Sequence, residues 1–155
     1  MWLTILTQPR PAVAGLVLAF SLYASSSWAE QARLVPLQAP SYASVFQQSP
    51  SDIAALFNRA DRIARSTNFS PIEPVTFVLH GDEINLFRRD NYPDNQMLVD
   101  LAARLDAFQV IDVRVCETWM LDNQVSAADL PPFVEVVPFG PDYVAGLRRQ
   151  GAIEF

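Results

Sequence analysis

What this sequence lacks narrows its chemistry. It has no lysine: all eleven basic residues are arginine. That excludes Schiff-base catalysis on a lysine and any phosphate-binding loop that needs one. There is a single cysteine, Cys116, so no disulfide can form within the chain. An odd thiol in an exported protein is a reactive group, an intermolecular link or a buried packing residue. There is a single histidine, His80. One Cys and one His fall short of a structural zinc set, which usually takes four such ligands. No metal and no organic cofactor is expected. Only five glycines occur, and no G-x-G-x-x-G or Walker pattern follows Gly81, so a nucleotide is not expected. The formal net charge is -6 and no basic run is present. Nucleic acid and anionic membrane surfaces, which need clustered cations, are therefore not expected as partners.

What is present is a globular composition, half hydrophobic and 18% charged. The first residues have the order of a secretory signal. Met1 to Arg10 carries one positive charge, Ala12 to Ala24 is a continuous apolar run, and Ser27 and Ala29 are small residues at the positions a signal peptidase reads. The apolar run is shorter than the ~20 residues of a membrane-spanning helix. Residues 1–29 are expected to be removed after Ala29, leaving no membrane segment. The destination is then the periplasm, an oxidising compartment in which an unpaired thiol is noticeable. Residues 30–41 read as a loose lead-in and 42–155 as one domain.

Within that domain, strands are expected to alternate with helices. Tyr42–Gln47 alternates as a strand, and Ser49-Pro50-Ser51-Asp52 opens an amphipathic helix running through Arg65. Val75–Leu79 is apolar on both faces, as a central parallel strand would be. After a helical turn at Ile84–Phe87, Arg88–Asn95 reads as a polar loop. Met97, Leu98, Leu101, Ala102 and Leu105 mark a second helix. Val110–Val115 is a strand closed by Cys116, with a short helix from Thr118. Phe133–Val137 is a strand, Gly140-Pro141-Asp142 opens a helix that Gly151 ends, and Ile153–Phe155 is a last short strand. The expected fold class is α/β, a three-layer α/β/α sandwich with a mostly parallel sheet of about five strands.

In parallel sheets ligands gather beyond the carboxyl ends of the strands. Two expected strands end in reactive residues, one at His80-Gly81 and the next at Cys116. If the strands are neighbours, the two side chains share an edge. The helix expected to start near Thr118 would favour negative charge, hence a thiolate, and a neighbouring imidazolium would do the same. Cys116 and His80 are thus the candidate catalytic pair. Gly81, Asn91, Tyr92, Thr118 and Trp119 are candidate substrate contacts around them. Against this stands the plain alternative that Cys116 packs and His80 only holds the following loop. Asp82 and Glu83 are expected to be solvated, and Trp119 and Met120 to be core or subunit contacts unless they wall a small apolar pocket.

In order and spacing these features resemble the DsrE/DsrF-like (DsrEFH) sulfur-relay family, in its small exported branch. The resemblance spans Tyr42 to Phe155 and is carried by several pieces. These are His80-Gly81, Asp90-Asn91-Tyr92, Leu98–Leu105, Cys116 with Thr118, Trp119 and Met120, Leu130, Val134–Gly140 and Leu147–Gly151. It implies a compact α/β/α sandwich that forms homo- or hetero-oligomers, commonly trimers or hexamers, with a homo-oligomer expected here. It also implies a persulfide carried on Cys116, with no cofactor, and a thiol partner protein. Exported relatives often show Cys-x-x-Thr; here Thr118 stands one place early and Trp119 fills the Thr position. The expected function is a periplasmic sulfur carrier or sulfane-sulfur binder of sulfurtransferase-like character. The alternative is a non-catalytic oligomeric module binding a small ligand or a partner.

Overall fold

The computed structural model describes residues 40–69 and 73–155. The expected signal segment, 1–29, and nearly all of the expected lead-in, 30–41, lie outside the described residues. The first strand, β1, is Ser41–Val45. Helix α1, Pro50–Ser66, starts where the sequence indicates: the Ser49 hydroxyl accepts from the Asp52 amide, and the Asp52 carboxylate accepts from the Ser49 amide. This reciprocal cap satisfies two N–H groups that a helix end leaves open. Pro50 costs nothing in the first turn, where no i−4 partner exists. Ile53, Phe57, Ala60 and Ala64 form the buried stripe.

Strand β2 is Val75–Leu79, followed by a 3-10 helix at Asp82–Phe87. The expected loop Arg88–Asn95 is only half a loop. Arg89–Asn91 forms a 3-10 turn, and helix α2 already begins at Tyr92 and runs to Ala107. Pro93 in the first turn, which reads as a breaker, is here a helix starter. Met97 is also not part of the inner stripe, being 89% exposed; Leu98, Val99, Ala102 and Leu105 face inward instead. Strand β3 is Ile111–Cys116 and α3 is Glu117–Asp122. Strand β4 is Val134–Val137, α4 is Gly140–Arg149, and β5 is Ile153–Glu154. Gly151, at φ +87, closes α4 in the left-handed region.

The five strands form one sheet in the order β4-β3-β2-β1-β5, and every pairing is parallel. This order dictates the layers. The steps β1 to β2, β2 to β3 and β3 to β4 all run in one direction, and right-handed crossovers put their helices on one face. The step from β4 to β5 returns the other way, so α4 must cross the opposite face. It spans four strand spacings, about 19 Å, with a helix of about 15 Å. The packing agrees. One large core joins inward residues of α1, α2 and α3 to Val45, Phe77, Leu79, Val113 and Val115, with Phe57 edge-on to Phe77 and Phe87. A small second core joins Val144 of α4 to Tyr42 and Val78. The result is a three-layer α/β/α sandwich with an all-parallel sheet. Among the described residues no helix is long and apolar enough to cross a membrane.

Candidate functional site

Side chains alternate along a strand, so Tyr42, Ser44 and Phe46 at β1 share the α4 face. Thr76, Val78 and His80 at β2 share it, as do Asp112, Arg114 and Cys116 at β3. Leu79 pairs with Val115 and Cys116 with Val137. His80 and Cys116 are the next residues in that register, on strands about 4.8 Å apart. The carboxyl edge thus carries a row of Phe46, His80, Cys116 and Val137 beneath the first turn of α4.

Gly140 holds this row together. A Cβ at Gly140 would lie 2.8 Å from the His80 Cβ and 3.4 Å from the Cys116 Cβ, so only glycine lets α4 begin here. Its amide donates to the Cys116 Sγ at 3.4 Å. The helix whose amide meets the thiol is therefore α4 and not, as expected, α3. Cys116 is the N-cap residue of α3 but makes no side-chain cap bond. The reason is directional: β3 aims the thiol at the α4 face, while α3 departs on the other. The sulfur is also buried, with Cys116 3% exposed.

The His80 Nε2 lies 3.0 Å from the Ser44 Oγ, and the ring stacks on Phe46 with centroids 4.9 Å apart and planes 8° from parallel. Burial pushes the imidazole below the ordinary histidine value, against the opposing charge of Glu83. Burial thus favours the neutral ring over the cation. The same burial works against the imidazolium that would favour a thiolate, and leaves the ring suited to accept a proton.

Glu83 corrects a further expectation. It is 3% exposed rather than solvated. Its Oε1 accepts from the amides of His80 at 2.9 Å and Gly81 at 2.7 Å, and its Oε2 accepts from the amide of Gln47 at 3.0 Å. Gln47 itself sits at φ +54. One carboxylate therefore ties the ends of β1 and β2 together. It also explains Gly81, where a Cβ would meet the Glu83 Oε2 at 2.8 Å and the Phe46 ring at 3.0 Å. The Gly81 amide is already taken and does not face a ligand.

The other expected contacts are not gathered at the thiol. The Asn91 side-chain amide donates to the Asn85 carbonyl at 2.8 Å, holding the 3-10 turn. The Tyr92 hydroxyl donates to Asp100 at 2.9 Å along α2. The Thr118 hydroxyl donates to the Pro138 carbonyl at 3.0 Å, which braces the turn before Gly140. Trp119 packs, half-buried, against the large core. The site that forms is His80, Cys116, Ser44, Phe46 and Gly140, with Glu83 beneath. Ser44, Phe46, Glu83 and Gly140 were not singled out from sequence. The signal for Gly140 was its place between a strand and Pro-Asp; Ser44 and Glu83 left no local signal.

Two grooves flank this row. One, of about 450 Å³, lies between the loop after β1 and the turn after β2, lined by residues that include Gln48, Asp82, Glu83 and Leu86. The other, of about 240 Å³, lies beside β4, lined by Met120, Leu121, Val125 and Val136 among others. Neither is lined by His80 or Cys116.

No protein-family model matches the chain, and no curated protein matches it in sequence. Solved structures do match. One is the protein of unknown function MTH1491 from Methanobacterium thermoautotrophicum, 15% identical, with a TM-score of 0.60. The match covers 75% of this chain and 96% of that one. At that identity the likeness shows the fold alone, the same α/β architecture.

Proposed function

We propose that this chain is a DsrE/DsrF-like sulfur carrier that acts after export to the periplasm and holds sulfane sulfur as a persulfide on Cys116. The observation that carries the reading is the bond from the Gly140 amide, in the first turn of α4, to the thiol sulfur. An amide at a helix N-terminus stabilises negative charge, and the thiolate is the nucleophile. With thiosulfate as donor, the Cys116 thiolate attacks the sulfane sulfur. A new S–S bond forms on the protein, the donor S–S bond breaks, and sulfite leaves with the electron pair. No net oxidant is needed, and a partner thiol takes the sulfur in the same way. Neutral His80 accepts the thiol proton. Attack requires the turn at Pro138–Gly140 to swing aside, since the sulfur is covered. Homo-oligomers, trimers or hexamers, belong to the same proposal. The test is intact mass after thiosulfate or polysulfide treatment: one added sulfur atom on wild type and none on Cys116→Ser. Equal spectra end the reading.

The 3% exposure of Cys116 favours a second reading, a non-catalytic oligomeric module that binds a small ligand or a partner. Thiol titration separates the two. Rapid labelling of the folded protein at neutral pH supports the carrier; labelling only after unfolding supports the module.

A further inference from the structure

We propose that the groove between the loop after β1 and the turn after β2 binds a small organic cation with N–H donors, an alkylguanidinium or alkylammonium, whether or not Cys116 carries sulfur. The groove holds about 450 Å³, the volume of a small-molecule site and far more than a bare ion fills. It lies at the carboxyl ends of two parallel strands, where ligands gather. Asp82, Glu83, Gln48 and Ser49 give it polar walls, Pro50 and Leu86 apolar ones, and no basic side chain lines it. Two observations point to a donor ligand of positive charge. The Gln48 Oε1 is buried and has no hydrogen-bond partner. Such acceptors are rare in folded proteins, and a donor brought by a ligand supplies the missing bond. The two acids, for their part, carry charge that no cation meets. Among the described residues neither Asp82 nor Glu83 has an ion-pair partner. The Glu83 oxygens are spent on three main-chain amides, so this side chain contributes charge alone. Asp82 is exposed and makes no hydrogen bond among the described residues, so its oxygens remain for the ligand. The opposing charge is the positive end of α1, and the Asp52 carboxylate already meets it by accepting from the Ser49 amide. Pro50 and Leu86 then suit an alkyl chain behind the charged head. A metal ion is not the occupant, since among the described residues no three Asp, Glu, His or Cys side chains are placed to hold one.

The test titrates butylguanidinium into ¹⁵N-labelled full-length protein. Saturable shifts should appear at Gln48, its side-chain amide included, and at Asp82 and Leu86, with a Kd of about a millimolar for so small a ligand. Butyltrimethylammonium keeps the charge but has no N–H, and should bind about tenfold more weakly. Butanol, without charge, should give no saturable shift. Asp82→Asn, a change at an exposed side chain, should weaken butylguanidinium about tenfold. Gln48→Leu removes the unpaired acceptor, so it should weaken butylguanidinium about fivefold and leave butyltrimethylammonium unchanged. Any of three results overturns the proposal: no saturable shift at these residues, equal affinity for the two cations, or equal affinity of wild type and Asp82→Asn. The comparison of the two cations needs no variant, so a variant that fails to fold does not remove the test. None of these readouts involves Cys116, so this proposal and the carrier reading fail separately.

Discussion

Glu83 is where a single side chain determines the shape of the site. A buried carboxylate that accepts three main-chain N–H groups is an anchor, since removing it leaves those donors without partners. Glu83→Ala should lower stability by about 2–5 kcal/mol, read as a shift of the urea midpoint. A loss under about 0.5 kcal/mol would show that water replaces the carboxylate. His80 makes a prediction in pH. Its folded-state value lies below the ordinary one because burial disfavours the cation. Between the two values the unfolded chain binds the extra proton. The contribution is therefore complete above about pH 6.5 and is lost as pH falls through the folded value. Thermal midpoints should fall more steeply on acidification in wild type than in His80→Asn. Parallel curves would exclude the mechanism. Neither residue's environment is visible in sequence: Asp82 and Glu83 are adjacent acids, yet one faces water and the other lies under the backbone.

At the scale of elements, local rules went a long way. The Ser49–Asp52 cap, the stripe of α1, the β-branched run of β2 and the left-handed Gly151 are all read from neighbours within a few residues. The start of α2 was hidden because Pro93 marks a loop or a first helical turn equally well. The beginning of α4 was visible, but its role was not, since contact with β2 and β3 lies far along the chain. Gly140→Ala should therefore test an element rather than a residue. The new methyl meets the His80 Cβ, so α4 must shift, at a cost of about 1–3 kcal/mol. Cys116 should label faster as the covering turn lifts. A variant with unchanged midpoint and labelling rate would show that the start of α4 does not press on the ends of β2 and β3.

For the whole molecule, the reversal of direction after β4 is decisive. Among the described residues it places α4 alone on the second face, and the large core on the other. The thiol lies beneath the first turn of α4, so its exposure should be a local opening of one turn. Labelling of Cys116 against urea should show an opening free energy below that of global unfolding and a smaller denaturant slope. Labelling that follows only global unfolding would mean that the turn does not open, and the packed-thiol reading would replace the carrier.

By itself the sequence determined the alternation of strands and helices, their faces to within a few residues, and the placing of His80 and Cys116 at strand ends. These depend on periodicity and on residues close in the chain. Only the tertiary structure decided that β5 joins β1, that α4 crosses the second face, and that Gly140, Ser44 and Glu83 converge on the two reactive side chains. Those contacts join residues 24 to 36 or more positions apart, or place an acid beneath its own turn. They exist only once the sheet has chosen its order.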